Sequence, residues 1–291
     1  MARGASSTKW RFTRIAKLLW RFKGALLGAF IVSCFTVTAL AVSVTALLGI
    51  SLTPYNPIAQ NVGPALAPPS WSHLFGTDLI GRDVFSRVVA ATPNDFFVCI
   101  SVVAVAFVVG SVVGVYAGYH GGIVDEVLMR VTDVFFGIPA LVLAMAIGFV
   151  LGVGVTNMVV ALIVIWWPPY ARLARGETLK VAHQNYIHAA RLSGSSMLKI
   201  LWQHAFRNIY HTMLIYSTLD VGTVLLLYSG LSYLGLSVRP PQPDWGKMIS
   251  EYQDFIVIAP WLSLIPGLII SMGVFGFSMI GDGLRDIAKR L

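Results

Sequence analysis

Four histidines, His183, His188, His204 and His211, fall in or beside one polar stretch, and a single acid, Asp220, falls inside an apolar one. The histidine spacings of 5, 16 and 7 residues fit no usual zinc-ligand pattern, so solvated or capping roles are expected and no metal site is assigned. Asp220 is different, because an acid in a membrane-length apolar segment costs about 2.5–3.5 kcal/mol on the insertion scale. Two readings follow. The carboxylate either contacts substrate or a proton along a pathway, or makes a structural hydrogen bond to a neighbouring helix. Without a second intramembrane acid or base, a proton relay is unsupported.

Other chemistry is excluded by motif. The only Gly-Lys pair, Gly246-Lys247, is followed by Met248 and lacks the spacing of a phosphate-cradling loop. No histidine precedes a glutamate and there is no Gly-x-Ser-x-Gly elbow, so zinc-protease and serine-hydrolase signatures are missing. Cys34 and Cys99 both lie in apolar runs, where small hydrophobic roles are expected. The chain is read as no enzyme.

The elements that carry these residues belong in lipid. Of 291 residues, 56% are hydrophobic and 12% charged, against about 25% charged in a soluble domain. Six segments are read as spans against the roughly 20 apolar residues needed to cross a bilayer: about 24–50, 96–119, 134–151, 156–170, 209–236 and 258–280, the third and fourth being the shortest. The first is too long for the apolar region of a cleaved signal peptide. The net charge of +8 suggests nucleic acid only until the bases are located, and they cluster at membrane boundaries.

Lys and Arg favour the cytoplasmic side. The tail 1–23 holds seven bases and no acid, which sets the amino terminus inside, and six spans return the carboxyl terminus there. The segment 171–208 carries Arg172, Arg175, Lys180, Arg191, Lys199 and Arg207 against Glu177 alone, whereas 51–95 and 237–257 together carry four bases against six acids. The domain plan is therefore a cytoplasmic amphipathic tail (1–23), a first span (24–50), an extracytoplasmic loop (51–95), a transmembrane core (96–286) with a cytoplasmic loop at 171–208, and a tail at 287–291. Ile15, Leu18, Leu19 and Phe22 recur at helical spacing, predicting an interfacial helix.

Within the spans, Gly110, Gly114 and Gly118 form a double Gly-x-x-x-Gly, and Gly148 and Gly152 repeat it; both predict close helix approach. Pro139 and Pro266 inside the third and sixth spans predict kinks and are hinge candidates. The stretch Tyr186–Asn208 is too polar to span. Ala189 and Ala190 give a helix surface without bulk, Gly194 interrupts, and Met197, Leu198, Leu201 and Trp202 mark a second helix after Ser195.

That stretch resembles the EAA loop of binding-protein-dependent ABC importer permeases. Ala189, Ala190, Gly194 and His204 match; His188 stands where the family usually has Glu, and Arg207 where it usually has Pro. The resemblance runs from about Phe75 to Asp286 and points to the second, C-type permease of the dipeptide/oligopeptide/nickel subfamily. The motif Gly76-Thr77-Asp78-Leu79-Ile80-Gly81-Arg82-Asp83 resembles its outer-loop motif. Gly121-Gly122-Ile123-Val124-Asp125, the Ile138-Pro139 pair, Tyr233-Leu234-Gly235-Leu236, Pro240-Pro241 with Trp245-Gly246, and Asp282-Gly283-Leu284-Arg285-Asp286 resemble further family stretches. Tyr228 stands where relatives often carry an acid and Asp220 where they often carry a small residue, so both are candidates for lining the pathway.

The resemblance implies an all-α integral membrane protein, six transmembrane helices in the type I ABC importer permease fold, with an amino-terminal interfacial helix and a cytoplasmic coupling helix in the 171–208 loop, where His188, Ala189, Ala190, Gly194 and His204 couple to the ATPase. It implies these partners: a homologous second permease subunit, two ABC ATPase subunits that bind ATP and magnesium, and an extracytoplasmic substrate-binding protein. No cofactor is expected in this chain. Di- and oligopeptides are the default cargo; nickel complexes, oligosaccharides and antimicrobial peptides are alternatives. The rival class is an ion-coupled carrier or channel working without an ATPase.

Overall fold

The computed structural model describes residues 23–182, 184–194, 196, 199 and 206–288, without the side chains of 188–191 and 208. The interfacial helix expected before residue 23, His183, Ser195, His204 and most of the second cytoplasmic helix lie outside the described residues.

Nine α-helices are described: α1 (Lys23–Leu47), α2 (Val84–His120), α3 (Gly122–Phe136), α4 (Ala140–Leu151), α5 (Val155–Ala182), α6 (Asn185–Leu192), α7 (Arg207–Tyr233), α8 (Trp245–Tyr252) and α9 (Trp261–Ala288). Five are long and apolar enough to cross a bilayer alone, and α3 with α4 make a sixth crossing only as a pair bent by 87°. At 1.5 Å per residue, α2 extends about 55 Å and α4 only about 18 Å, so α4 cannot span by itself.

Three boundaries differ from the expectation. The second helix begins at Val84 rather than near 96 because Asp83 caps it, its Oδ2 accepting from the Ser86 amide at 2.8 Å and from the Ser86 hydroxyl at 2.7 Å. The fourth runs to Ala182, twelve residues past its apolar stretch, so the first third of the expected 171–208 loop is helix. The third is no kinked span: Gly137, Ile138 and Pro139 break it outright, with Pro139 at the N-cap of α4. Proline lacks the amide that would continue the ladder, and the preceding residue is driven from helical geometry.

The core forms where α2 meets α5. A Cβ on Gly110 would lie 2.6 Å from the Trp167 carbonyl oxygen, one on Gly118 2.9 Å from that of Arg175, and one on Gly114 would run into that of Ala171. The glycine stripe thus has its partner, and it lets two backbones meet where any side chain would hold them apart. The second glycine pair does not repeat this. Gly152 ends α4 with φ +84 and faces open space. Around the α2–α5 seam, Val102, Ala106, Met158, Leu162 and Tyr170 are buried, and α1 and α9 close the far side through a Phe35–Phe96–Phe277 stack with centroids 6.1 and 5.8 Å apart. Pro266 is buried within α9.

Candidate functional site

Asp220 lies midway along α7. Its Oδ2 accepts from Trp166 Nε1 at 2.5 Å and from the Tyr170 hydroxyl at 2.9 Å, both on α5. The carboxylate therefore ties α7 to α5, which meets the structural reading, and it also borders a cavity of about 290 Å³, which keeps the pathway reading. Phe135, Phe136, Ile138, Pro139 and Ala140 from the broken span face the same cavity, as do Pro168, Pro169 and Tyr216. Irregular backbone at membrane depth is tolerated where it is packed in protein or lines a cavity, and the α3–α4 break does the latter.

Tyr228, expected beside the pathway, is fully buried in this chain. Its hydroxyl donates to Asp244 Oδ2 at 2.9 Å, and Ser232 donates to Asp244 Oδ1. One residue on, the Trp245 amide donates to Asp95 Oδ2 at 2.9 Å and the Trp245 indole to the Val88 carbonyl at 3.0 Å. These bonds fasten α8 to α2 and α7. Among the described residues, Asp95 Oδ1 is buried without a hydrogen-bond partner.

The 76–83 motif folds as a clasp. Asp78 accepts from the amides of Ile80 and Arg82 at 3.0 and 2.9 Å, from Arg82 Nε at 2.5 Å, and from the Tyr252 hydroxyl of α8 at 2.8 Å. Thr77 Oγ1 accepts from the Ala67 amide at 2.9 Å and donates to the Pro64 carbonyl. Gly76 and Gly81 take φ of +74 and +72, a region L side chains seldom occupy. Asp83 Oδ1 meets His73 Nδ1 at 2.9 Å. Burial pushes the Tyr252 phenol up; Arg87 and Arg82 pull it down and Asp78 adds to the rise. For Arg82, burial alone lowers the pKa, but Tyr252, Asp78 and Glu251 outweigh it and the net shift is upward. The motif residues thus hold 51–83 against α8.

At the other end, α3 and the extension of α5 are pinned together. Arg175 binds Asp125 with Nε to Oδ1 at 2.7 Å and Nη2 to Oδ2 at 2.5 Å. Arg172 pairs with Asp133, its guanidinium 3.9 Å above the Phe136 ring. Two bases of the basic segment are therefore occupied within the chain. Beyond them, α6 carries His188, Ala189 and Ala190, and Gly194 follows it at φ +74; their side-chain contacts fall outside the described residues.

Trp166, Tyr170, Asp95, Asp244 and the Arg172 and Arg175 pairings carry no motif that marks them in the sequence. The tandem Pro168-Pro169, an unusual interruption of an apolar run, was the available signal near Asp220. Among the described residues, no three His, Cys, Asp or Glu side chains converge on a metal-sized point.

Comparison with known proteins agrees with this architecture. Residues 110–284 match the family model of the binding-protein-dependent transport system inner membrane component. The chain is 35% identical over 276 residues to a probable D,D-dipeptide transport system permease protein of Escherichia coli, covering 94% of this chain and 90% of the relative. It is 35% identical to a dipeptide transport system permease protein of Alkalihalophilus pseudofirmus (93% and 86% covered) and 37% identical to a glutathione transport system permease protein of Pectobacterium atrosepticum (75% and 72% covered). With its bilayer-crossing helices and a family match over more than half its length, this chain belongs to the binding-protein-dependent transport system inner membrane components, as a multi-pass membrane permease.

Proposed function

We propose that this chain is one permease subunit of an ATP-driven ABC importer and forms half of the pathway by which di- or oligopeptides enter the cytoplasm. The observation that carries this reading is near full-length similarity to permeases named for dipeptides and D,D-dipeptides. A homologous second permease supplies the other half of the pathway. Two ATPase subunits bind ATP and magnesium, and a substrate-binding protein delivers cargo from outside.

The charge distribution supports an orientation with both termini in the cytoplasm, α8 and the 51–83 segment outside, and the Arg172–Lys180 end of α5 inside. In that orientation α6 and Gly194 sit where an ATPase would dock. ATP-driven closure of the ATPases would push α6, and the α3–α5 brace would pass this displacement into the spans, because two ion-paired helices move together rather than bending separately. The broken third span gives the pathway an element able to change angle between its halves.

The test is reconstitution. Vesicles holding both permeases and both ATPases, supplied with binding protein, should accumulate dipeptide only with ATP inside. Uptake driven by an ion gradient in vesicles lacking the ATPases would assign the chain to the carrier class instead.

A further inference from the structure

Asp220 has two hydrogen-bond donors but, among the described residues, no cation. Both bonds fall on Oδ2, and among the described residues no Lys or Arg forms an ion pair with it, while the bases farther along α5 are engaged by Asp125 and Asp133. Asp220 is 8% exposed and stands at the middle of a membrane span. Acids at such positions ordinarily have a partner charge or mark a pathway.

The walls of the adjoining cavity suit one kind of partner. Trp166, Tyr216 and Phe135 contribute aromatic rings, which attract ammonium groups through their negative faces, while the Phe136 ring on the same wall already carries Arg172. Pro168 and Pro169 lie within α5 and also line the cavity. Lacking amide hydrogens, they leave the carbonyls of Val164 and Ile165 without their usual helical donors, and of these two residues Ile165 lines the cavity. A carboxylate, aromatic rings and a carbonyl that has lost its helical donor to proline are all complementary to N–H donors bearing positive charge, and none favours an anion.

We propose that Asp220 is the acidic half of an ion pair whose other half is the ammonium group of the cargo, held in passage between the α3–α4 break and the prolines of α5. The proposal rests on the peptide-import reading for the identity of its cargo, since a peptide with a free amino terminus carries such a group. Trp166 and Tyr170 act as positioning residues that fix the carboxylate at the cavity wall. The cavity then passes amine-bearing cargo and disfavours amino-blocked peptides independently of the binding protein.

The experiment uses the assembled complex with Cys34→Ala and Ala140→Cys, which places a thiol on the cavity wall. Its reaction rate with an ammonium-bearing methanethiosulfonate is compared with that of a sulfonate-bearing one, each relative to a free thiol in water. The expected preference for the ammonium reagent is tenfold or more, falling to within about twofold of the free-thiol ratio in Asp220→Asn and persisting in Asp220→Glu. Asparagine still accepts from Trp166 and Tyr170, and assembly is checked by size-exclusion yield; the Glu variant keeps the charge if Asn assembles poorly. A preference unaltered by Asp220→Asn, or absent from the parent complex, overturns the proposal. Dipeptide uptake by the same vesicles is scored separately: if the parent complex imports none, the peptide reading fails, while the reagent ratio still judges the ammonium site.

Discussion

Arg175 of α5 grips Asp125 of α3 through both edges of its guanidinium, at 2.7 and 2.5 Å. This planar, two-point contact fixes the angle between helices as well as their distance. Together with the Arg172–Asp133 pair it gives α3 a polar side facing α5, while Ile123, Val127 and Val134 point away from the chain.

Breaking that brace should disturb transmission more than stability. Arg175→Ala removes a pair between a partly solvated arginine and a mostly buried acid, so the cost exceeds that of a fully exposed pair and is about 1–3 kcal/mol, that of an orphaned buried acceptor. The expected outcome is a melting temperature within a few degrees of the parent and a several-fold rise in ATP hydrolysed per peptide imported. The charge-reversed double variant Arg175→Asp with Asp125→Arg should recover much of the coupling. Parallel ATPase and uptake assays in vesicles check both.

The α2–α5 seam makes a sharper stability prediction. Gly114→Leu places a side chain against the Ala171 backbone, where neither helix can yield cheaply, and overpacking of this kind costs at least about 1–3 kcal/mol. Gly176→Ala, on the same helix pair but with open space around it, should be neutral or slightly stabilising through helix propensity. Thermal unfolding of the purified complex, followed by tryptophan fluorescence, should separate the two variants clearly.

The clasp at Asp78 predicts a dependence on alkaline pH. The folded state raises the Tyr252 pKa above its unfolded value of about 10, so it favours the neutral phenol that donates to Asp78. The sign follows: stability from this group is complete below about pH 10 and is lost as pH rises through the folded value. Tyr252→Phe should lower stability at neutral pH by about 1.5–3 kcal/mol, because the hydroxyl both donates to the buried Asp78 and accepts from Arg82 Nη2, and should flatten part of the alkaline loss. Melting curves of both proteins from pH 7 to 11 check this.

Pro266 offers a test of motion in α9. Pro266→Ala restores a donor for the Leu262 carbonyl and should stiffen the helix. If α9 bends during transport, the variant keeps or gains thermal stability while its turnover falls several-fold; equal turnover would make the proline a static feature. Steady-state uptake beside a melting curve decides it.

The sequence made the spans legible because lipid imposes one requirement, about 20 apolar residues with every backbone group bonded internally. It placed the Gly110, Gly114 and Gly118 stripe for the same reason, since small residues at that spacing form one helix face. What it concealed lies where polarity is satisfied by tertiary contacts. The first twelve residues of α2 contain Arg87 and Asp95 and look like loop, yet both are buried against the α8 region, with Arg87 near Glu251 at 3.5 Å. The apolar run around Gly137–Pro139 looks continuous because hydropathy does not register backbone breaks. Arg172 and Arg175 look free because their acids lie about forty to fifty positions earlier in the chain. Asp220 was conspicuous, but its partners Trp166 and Tyr170 are hydrogen-bond donors hidden among apolar neighbours.

Peptide movement through this permease is proposed to require an ATPase docked at α6 and Gly194. The most direct measurement is ATP-dependent dipeptide uptake by the reconstituted complex carrying Ala189→Arg, beside the parent. Uptake and cargo-stimulated ATP hydrolysis should both fall at least tenfold while the binding protein's own affinity for dipeptide is unaltered. Full uptake and full stimulation in the assembled variant would contradict that requirement.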